Sequence, residues 1–119
     1  MADVSGRRYT PDHVWIDDAG RVGVTAHLLR RLPELVALHL PDVGVEVRTA
    51  EPFGALEADK GAFDLHAPCD GVVRERNPVE PAALDGDTWL VRLEGRPGRL
   101  LDRDAYAARR GPVRLARER

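Results

Sequence analysis

Apolar residues in this chain never run far before a turn signal stops them. "HVWI" (13–16) gives way to "DDAG", "RVGVT" (21–25) follows, "LVALHL" (35–40) stops at "PDVG", and "AFDLHA" (62–67) stops at "PCDG". Runs of four to six residues bounded by Gly, Pro and Asp have the length of strands. Inside them the residues alternate, which assigns side chains to faces. Phe63, Leu65 and Ala67 share one face, as do Trp89, Val91 and Leu93. The same reading puts Val36, Leu38 and Leu40 on one face with Ala37 and His39 on the other, and turns Val45 and Val47 inward. A mainly β domain follows. Two segments break the pattern and predict short peripheral helices. "AHLLRRL", over about 26–32, groups Leu28, Leu29 and Leu32 before Pro33. "DRDAYAARR", over 102–110, has Asp102 placed to cap it. The proline-rich "NPVEPAALDGD" (77–87) reads as a loop.

At 119 residues the chain holds one core. We expect a single domain over 9–110, a flexible segment over 1–8 and a basic tail over 111–119 that acts as a frayed, solubilising end. The formal net charge of −2 argues against a general nucleic-acid binder. No apolar run is long enough to span a bilayer, and "MADVSGRRYT" lacks the apolar stretch of a signal peptide. The single cysteine, Cys69, permits no internal disulfide and fits a reducing compartment, so the expected location is cytoplasmic.

The composition has one anomaly. Seventeen basic side chains are arginine and one is lysine, Lys60, in "ALEADKGAFDL". Arginine matches lysine in charge but offers no primary amine to acylate, because its guanidinium stays protonated and delocalised. Strands on both sides make Asp59 and Lys60 the turn of a hairpin, which projects Lys60 into solvent. With Glu57 and Asp59 close by, the amine stays charged, unlike a Schiff-base or general-base lysine. The arrangement suits a lysine that another enzyme modifies, not a catalyst. "GVEVR" (44–48) and "GVVRER" (71–76), on either side of the hairpin, are weakly alike, a sign of two similar halves.

"GALEADKGAFDLHAPCDGVV" (54–73) resembles the lipoyl-attachment hairpin of the glycine cleavage system H proteins, G-x-V-E-S-V-K-A-x-S-D-L-x-x-P-x-x-G-x-V. Gly54, Glu57, Lys60, Asp64, Leu65, Pro68, Gly71 and Val73 match. "YTPDHVW", "VGVTAH", "LVALHLPDVGVEV", "TWLVRL" and "LLDRDAYAA" are similar, in order, to further segments of that family, so the resemblance spans roughly residues 9 to 107. It implies a barrel-sandwich hybrid of two small sheets. It also implies a covalent lipoic acid in amide linkage to Lys60, with Glu57 and Gly71 read by the lipoylating enzyme and Asp64 in contact with the loaded arm. The implied partners are a lipoate ligase or lipoyl/octanoyl transferase, a pyridoxal-phosphate glycine decarboxylase, an aminomethyltransferase and dihydrolipoamide dehydrogenase. The chain would be a non-catalytic carrier, monomeric, with neither nucleic acid nor membrane among its partners.

Some positions depart from the family. Its H-E-W motif is His13, Val14, Trp15 here, and an apolar Val14 cannot balance an ammonium group. The loop before the late tryptophan shortens to "DGDTW". These changes keep open an H-like carrier diverted to another load, such as a sulfur carrier or a specialised biosynthetic carrier. Biotin attachment is less well matched, because biotinyl lysines usually sit between methionines and the flanks here are Asp59 and Gly61. An unmodified interaction module is the reading from another class. His66 and Cys69 have metal-like spacing but no second ligand pair, so no metal is expected, and Cys69 reads as a small buried side chain. His13 and His27 read as structural.

Overall fold

The structure, a computed structural model, describes residues 6–116. Of the expected terminal segments, residues 1–5 and 117–119 lie outside the described residues. Nine strands form two antiparallel sheets. Strands β1 (Arg8–Tyr9), β2 (Val14–Ile16), β3 (Arg21–Val24), β5 (Glu46–Val47), β8 (Cys69–Arg76) and β9 (Trp89–Pro97) build a six-stranded sheet in the order β1-β2-β3-β9-β8-β5. Strands β4 (Leu35–His39), β6 (Pro52–Ala58) and β7 (Gly61–His66) build a three-stranded sheet in the order β4-β6-β7. The expected two-sheet β architecture is present, and neither sheet closes into a barrel. The two similar runs flanking the hairpin pair with each other, Glu46 opposite Val72 and Val47 opposite Gly71.

One apolar core is shared by both sheets. Val14, Val22, Val73, Leu90 and Val91 enter it from the larger sheet, Leu56, Phe63 and Leu65 from the smaller, and Leu28 from a helix. That helix, α1 (Ala26–Arg31), is capped by the Thr25 side chain, which accepts from the Leu28 amide. It stops where Leu32, ahead of Pro33, turns extended. The second helix, α2 (Arg103–Arg109), is capped by Asp102, whose carboxylate accepts from Ala105. Both helices fall within the expected segments. A short 3-10 turn, Pro81–Ala83, lies inside the expected loop.

Two inward assignments fail. Val36 is 51% exposed because the pairing of β4 with β6 shifts register between Leu35 and Ala37, which breaks the alternation at that point. Leu38 and Leu40 of that face do pack on the core, and Leu35 joins them in place of Val36. Val45 is 41% exposed, since β5 begins only at Glu46 and Val47 alone of that pair is buried.

The loop joining β1 to β2 is tied through a buried polar chain. His13, fully buried, adopts φ 73°, a left-handed conformation uncommon outside glycine. Its Nε2 lies 2.9 Å from the Gly111 carbonyl, which can only accept, so Nε2 carries the hydrogen. Burial holds the His13 pKa below the usual imidazole value and the ring neutral. Nδ1 therefore accepts from the Tyr106 hydroxyl at 2.7 Å, and that hydroxyl in turn accepts from Thr25 Oγ1 at 2.8 Å. The chain links the cap of α1, the buried ring of α2 and the segment after α2.

Candidate functional site at the Lys60 hairpin

The sequence places Lys60 by pairing what flanks it. In β6 and β7, Leu56 lies opposite Phe63, Glu57 opposite Ala62 and Ala58 opposite Gly61. Leu56, Ala58, Phe63 and Leu65 are buried, which anchors both arms of the hairpin in the core. Asp59 and Lys60 remain as an exposed two-residue turn. Neither has a positive φ, so the primed hairpin turns are excluded, and the left-handed conformation falls on Gly61, at φ 149°. Among the described residues Lys60 makes no ion pair. The amine is thus carried on an exposed residue at the tip of an anchored hairpin.

The other residues expected at the site are distributed unevenly. Glu57 Oε1 is 2.6 Å from His39 Nε2 on β4. Glu57, expected as a negative neighbour of Lys60, is thus paired with His39, an exposed residue of β4. Asp64 is exposed on β7, opposite Ala55 and four residues from Lys60. Gly71 is in the other sheet, on β8 between β5 and β9. A Cβ there would meet the Glu94 carbonyl at 2.8 Å, so close strand approach already accounts for a glycine at that position. Cys69 is buried at 1% exposure, and burial raises its thiol pKa. Val14 is fully buried in the shared core.

The residue reading missed a covering segment. Residues 112–116 run beside β7, and Ala62 and Ala116 exchange both backbone hydrogen bonds, at 2.9 and 2.8 Å. Val113 and Leu115 pack against the core, while Pro112, Arg114 and Ala116 are exposed. For these residues the frayed-end reading is replaced by a docked segment. The alternation in "PVRLA" was the available signal, obscured by the arginines around it.

Among the described residues no helix is long and apolar enough to cross a membrane. The family model described as glycine cleavage H-protein matches residues 7–95. Glycine cleavage system H proteins of Mycobacterium sp. (strain KMS) and Thermotoga maritima are 37% and 34% identical to the chain over 116 and 114 residues. These matches cover 82% and 84% of this chain and 88% and 92% of those proteins. The crystal structure of a glycine cleavage system H protein from Mycobacterium marinum superposes with a TM-score of 0.73 at 33% identity, covering 89% of this chain and 97% of that one. An exposed hairpin lysine, two antiparallel sheets and an ordered match over most of the sequence agree: the chain belongs to the glycine cleavage H-protein family.

Proposed function

We propose that this protein is a lipoyl carrier of the glycine cleavage system, with lipoic acid joined as an amide to Lys60. The observation that carries the reading is the only lysine of the chain standing exposed on a two-residue turn between anchored strands. The residues fit the group: Asp59 and Lys60 are exposed, and no side chain among those described forms an ion pair with the amine. Attachment joins Lys60 Nζ to the carboxyl carbon of an enzyme-activated lipoate; the activating group leaves and the ammonium gives up two protons. Once bound, the lipoyl group supplies a dithiolane that can be reduced, loaded and reoxidised.

The chain's own part is mechanical and electrostatic. The hairpin fixes the tether point, so each partner enzyme meets the arm at a high effective concentration. Glu57, held by His39, and Gly71 are proposed as features the lipoylating enzyme reads. Asp64, on the strand leaving the turn, is proposed to accept a hydrogen bond from a cationic load. The route runs from a pyridoxal-phosphate glycine decarboxylase to an aminomethyltransferase and then to dihydrolipoamide dehydrogenase, in the cytoplasm, with the carrier itself non-catalytic and monomeric.

Burial of Val14 where the family places a glutamate favours a second reading, an H-like carrier for another load. Intact mass spectrometry after co-expression with a lipoate ligase tests attachment. One lipoyl increment, absent in Lys60→Arg, is expected; a biotin increment, or no adduct, refutes the proposal. Glycine-dependent carbon dioxide exchange with a glycine decarboxylase then separates the loads: a lipoylated protein that supports no exchange belongs to the second reading.

A further inference from the structure

The segment beside β7 lies outside the residues matched by the family model, which end at 95. It is tied at two points. At its root, the Gly111 amide donates to Pro11 and the Gly111 carbonyl accepts from buried His13. At its far end, Ala62 and Ala116 exchange hydrogen bonds one residue from the Lys60 turn. A cavity of about 190 Å³ is lined by Asp64 and His66 of β7 together with Pro112 and Arg114 of the segment. His66 Nδ1 is buried and, among the described residues, has no hydrogen-bond partner.

Gly61 shows how closely the far tie approaches the turn. It is buried although Lys60 before it is exposed, and a Cβ on it would collide with the Ala116 carbonyl. The smaller sheet ends at β7, so this is the free edge of the hairpin, the other edge of β6 being paired with β4. An enzyme that takes Lys60 into an active site must surround the turn, and on the β7 side it meets residues 115 and 116.

We infer that residues 112–116 are a detachable strap that governs access to Lys60: docked, they close the β7 side of the turn, and their release opens it. The far tie is built to let go. Two hydrogen bonds and the half-burial of Val113 and Leu115 are set against the entropy of ordering five residues, a near balance. The root is more secure, because releasing Gly111 would strand the Nε2–H of fully buried His13. The strap therefore swings from Gly111 and does not unravel α2.

This inference rests on the carrier reading, and its test keeps the two apart. Leu115→Asp releases the strap by placing a charge where an apolar side chain packs. The pair Ala62→Cys and Ala116→Cys, opposite each other across the bridge, locks it when oxidised. Initial rates of Lys60 lipoylation by a lipoate ligase, followed by intact mass, are compared with hydrogen exchange at the Ala62 amide. A strap docked about nine-tenths of the time leaves about one-tenth of the protein competent, so release raises the rate by up to about tenfold. The expected results are faster Ala62 exchange and a rate about three- to tenfold higher for Leu115→Asp. The oxidised lock should lower the rate, and reduction should restore it. Equal rates in the released, locked and wild-type proteins, with Ala62 exchange changed as designed, overturn the strap. Rates that fall on release do so too, since they make the strap part of what the ligase recognises. A wild-type Lys60 that accepts no lipoyl group overturns the carrier reading and the strap's role with it.

Discussion

Tyr106→Phe removes one oxygen atom and leaves the packing almost untouched, which makes it the cleanest probe of the buried polar chain. The ring keeps its stack on Tyr9, with centroids 5.1 Å apart, so no cavity opens. What is lost is the hydroxyl between His13 Nδ1 at 2.7 Å and Thr25 Oγ1 at 2.8 Å. Thr25 retains the Leu28 amide and can rotate its own hydrogen. His13 Nδ1, in a fully buried ring, is left without a donor. A buried polar atom stranded in this way costs about 1–3 kcal/mol, and the second lost hydrogen bond about 0.5–1.5 kcal/mol. The expected destabilisation is about 2–4 kcal/mol. Urea unfolding followed by the fluorescence of Trp15 and Trp89 measures it. With a slope of about 1–3 kcal/mol per molar, the midpoint should fall by roughly 1–2 M without a change in slope. A midpoint within about 0.3 M of wild type, at equal slope, would refute the argument that this chain ties the β1–β2 loop to the helices.

Two imidazoles, those of His13 and His27, set a pH dependence. Burial lowers the folded-state pKa of His13, and burial reinforced by nearby Arg110 and Arg31 lowers that of His27 to about 4. The unfolded chain therefore binds the extra protons, so stability is full above about pH 6.5 and declines as the pH falls toward the folded values; urea midpoints measured from pH 7.5 to 5 should fall, and a flat profile would refute this. Leu65→Ala empties a fully buried position between the sheets and should cost about 2–5 kcal/mol by the same urea assay. Glu57→Gln breaks a half-exposed pair with His39, so stability should change by less than about 1 kcal/mol while the lipoylation rate drops; an unchanged rate would remove Glu57 from the recognised features. Val14→Glu restores the family's residue type but buries a carboxylate in the shared core, so we expect a loss of about 3 kcal/mol or more in place of a gain in glycine exchange.

Most of the strands, both helices and the hairpin were legible because each depends on near neighbours in the chain, whereas β1 and the start of β8 at Cys69, inside a run read as a turn, were not. Alternation between Phe63 and Ala67 needs only the two-residue period of a strand, and the end of α1 needs only Pro33. Lys60 stood out because one amine among seventeen guanidiniums is a chemical contrast visible without coordinates. Val36 and Val45 were misassigned because a register shift and a late strand start arise from pairing with distant partners, which periodicity within one segment does not register.

Everything long-range about the site was decided by the fold. That Glu57 faces His39, eighteen residues earlier, follows from β4 lying beside β6. That Gly61 has no room for a methyl follows from residue 116 arriving at its side, fifty-five positions later. Local propensity and chemical type were enough to single out the exposed amine of Lys60. Which backbone edge stays covered, and which buried nitrogen holds the cover's root, depends on groups brought together only when both sheets close over a common core, because hydrogen bonds and packing act across space and not along the chain.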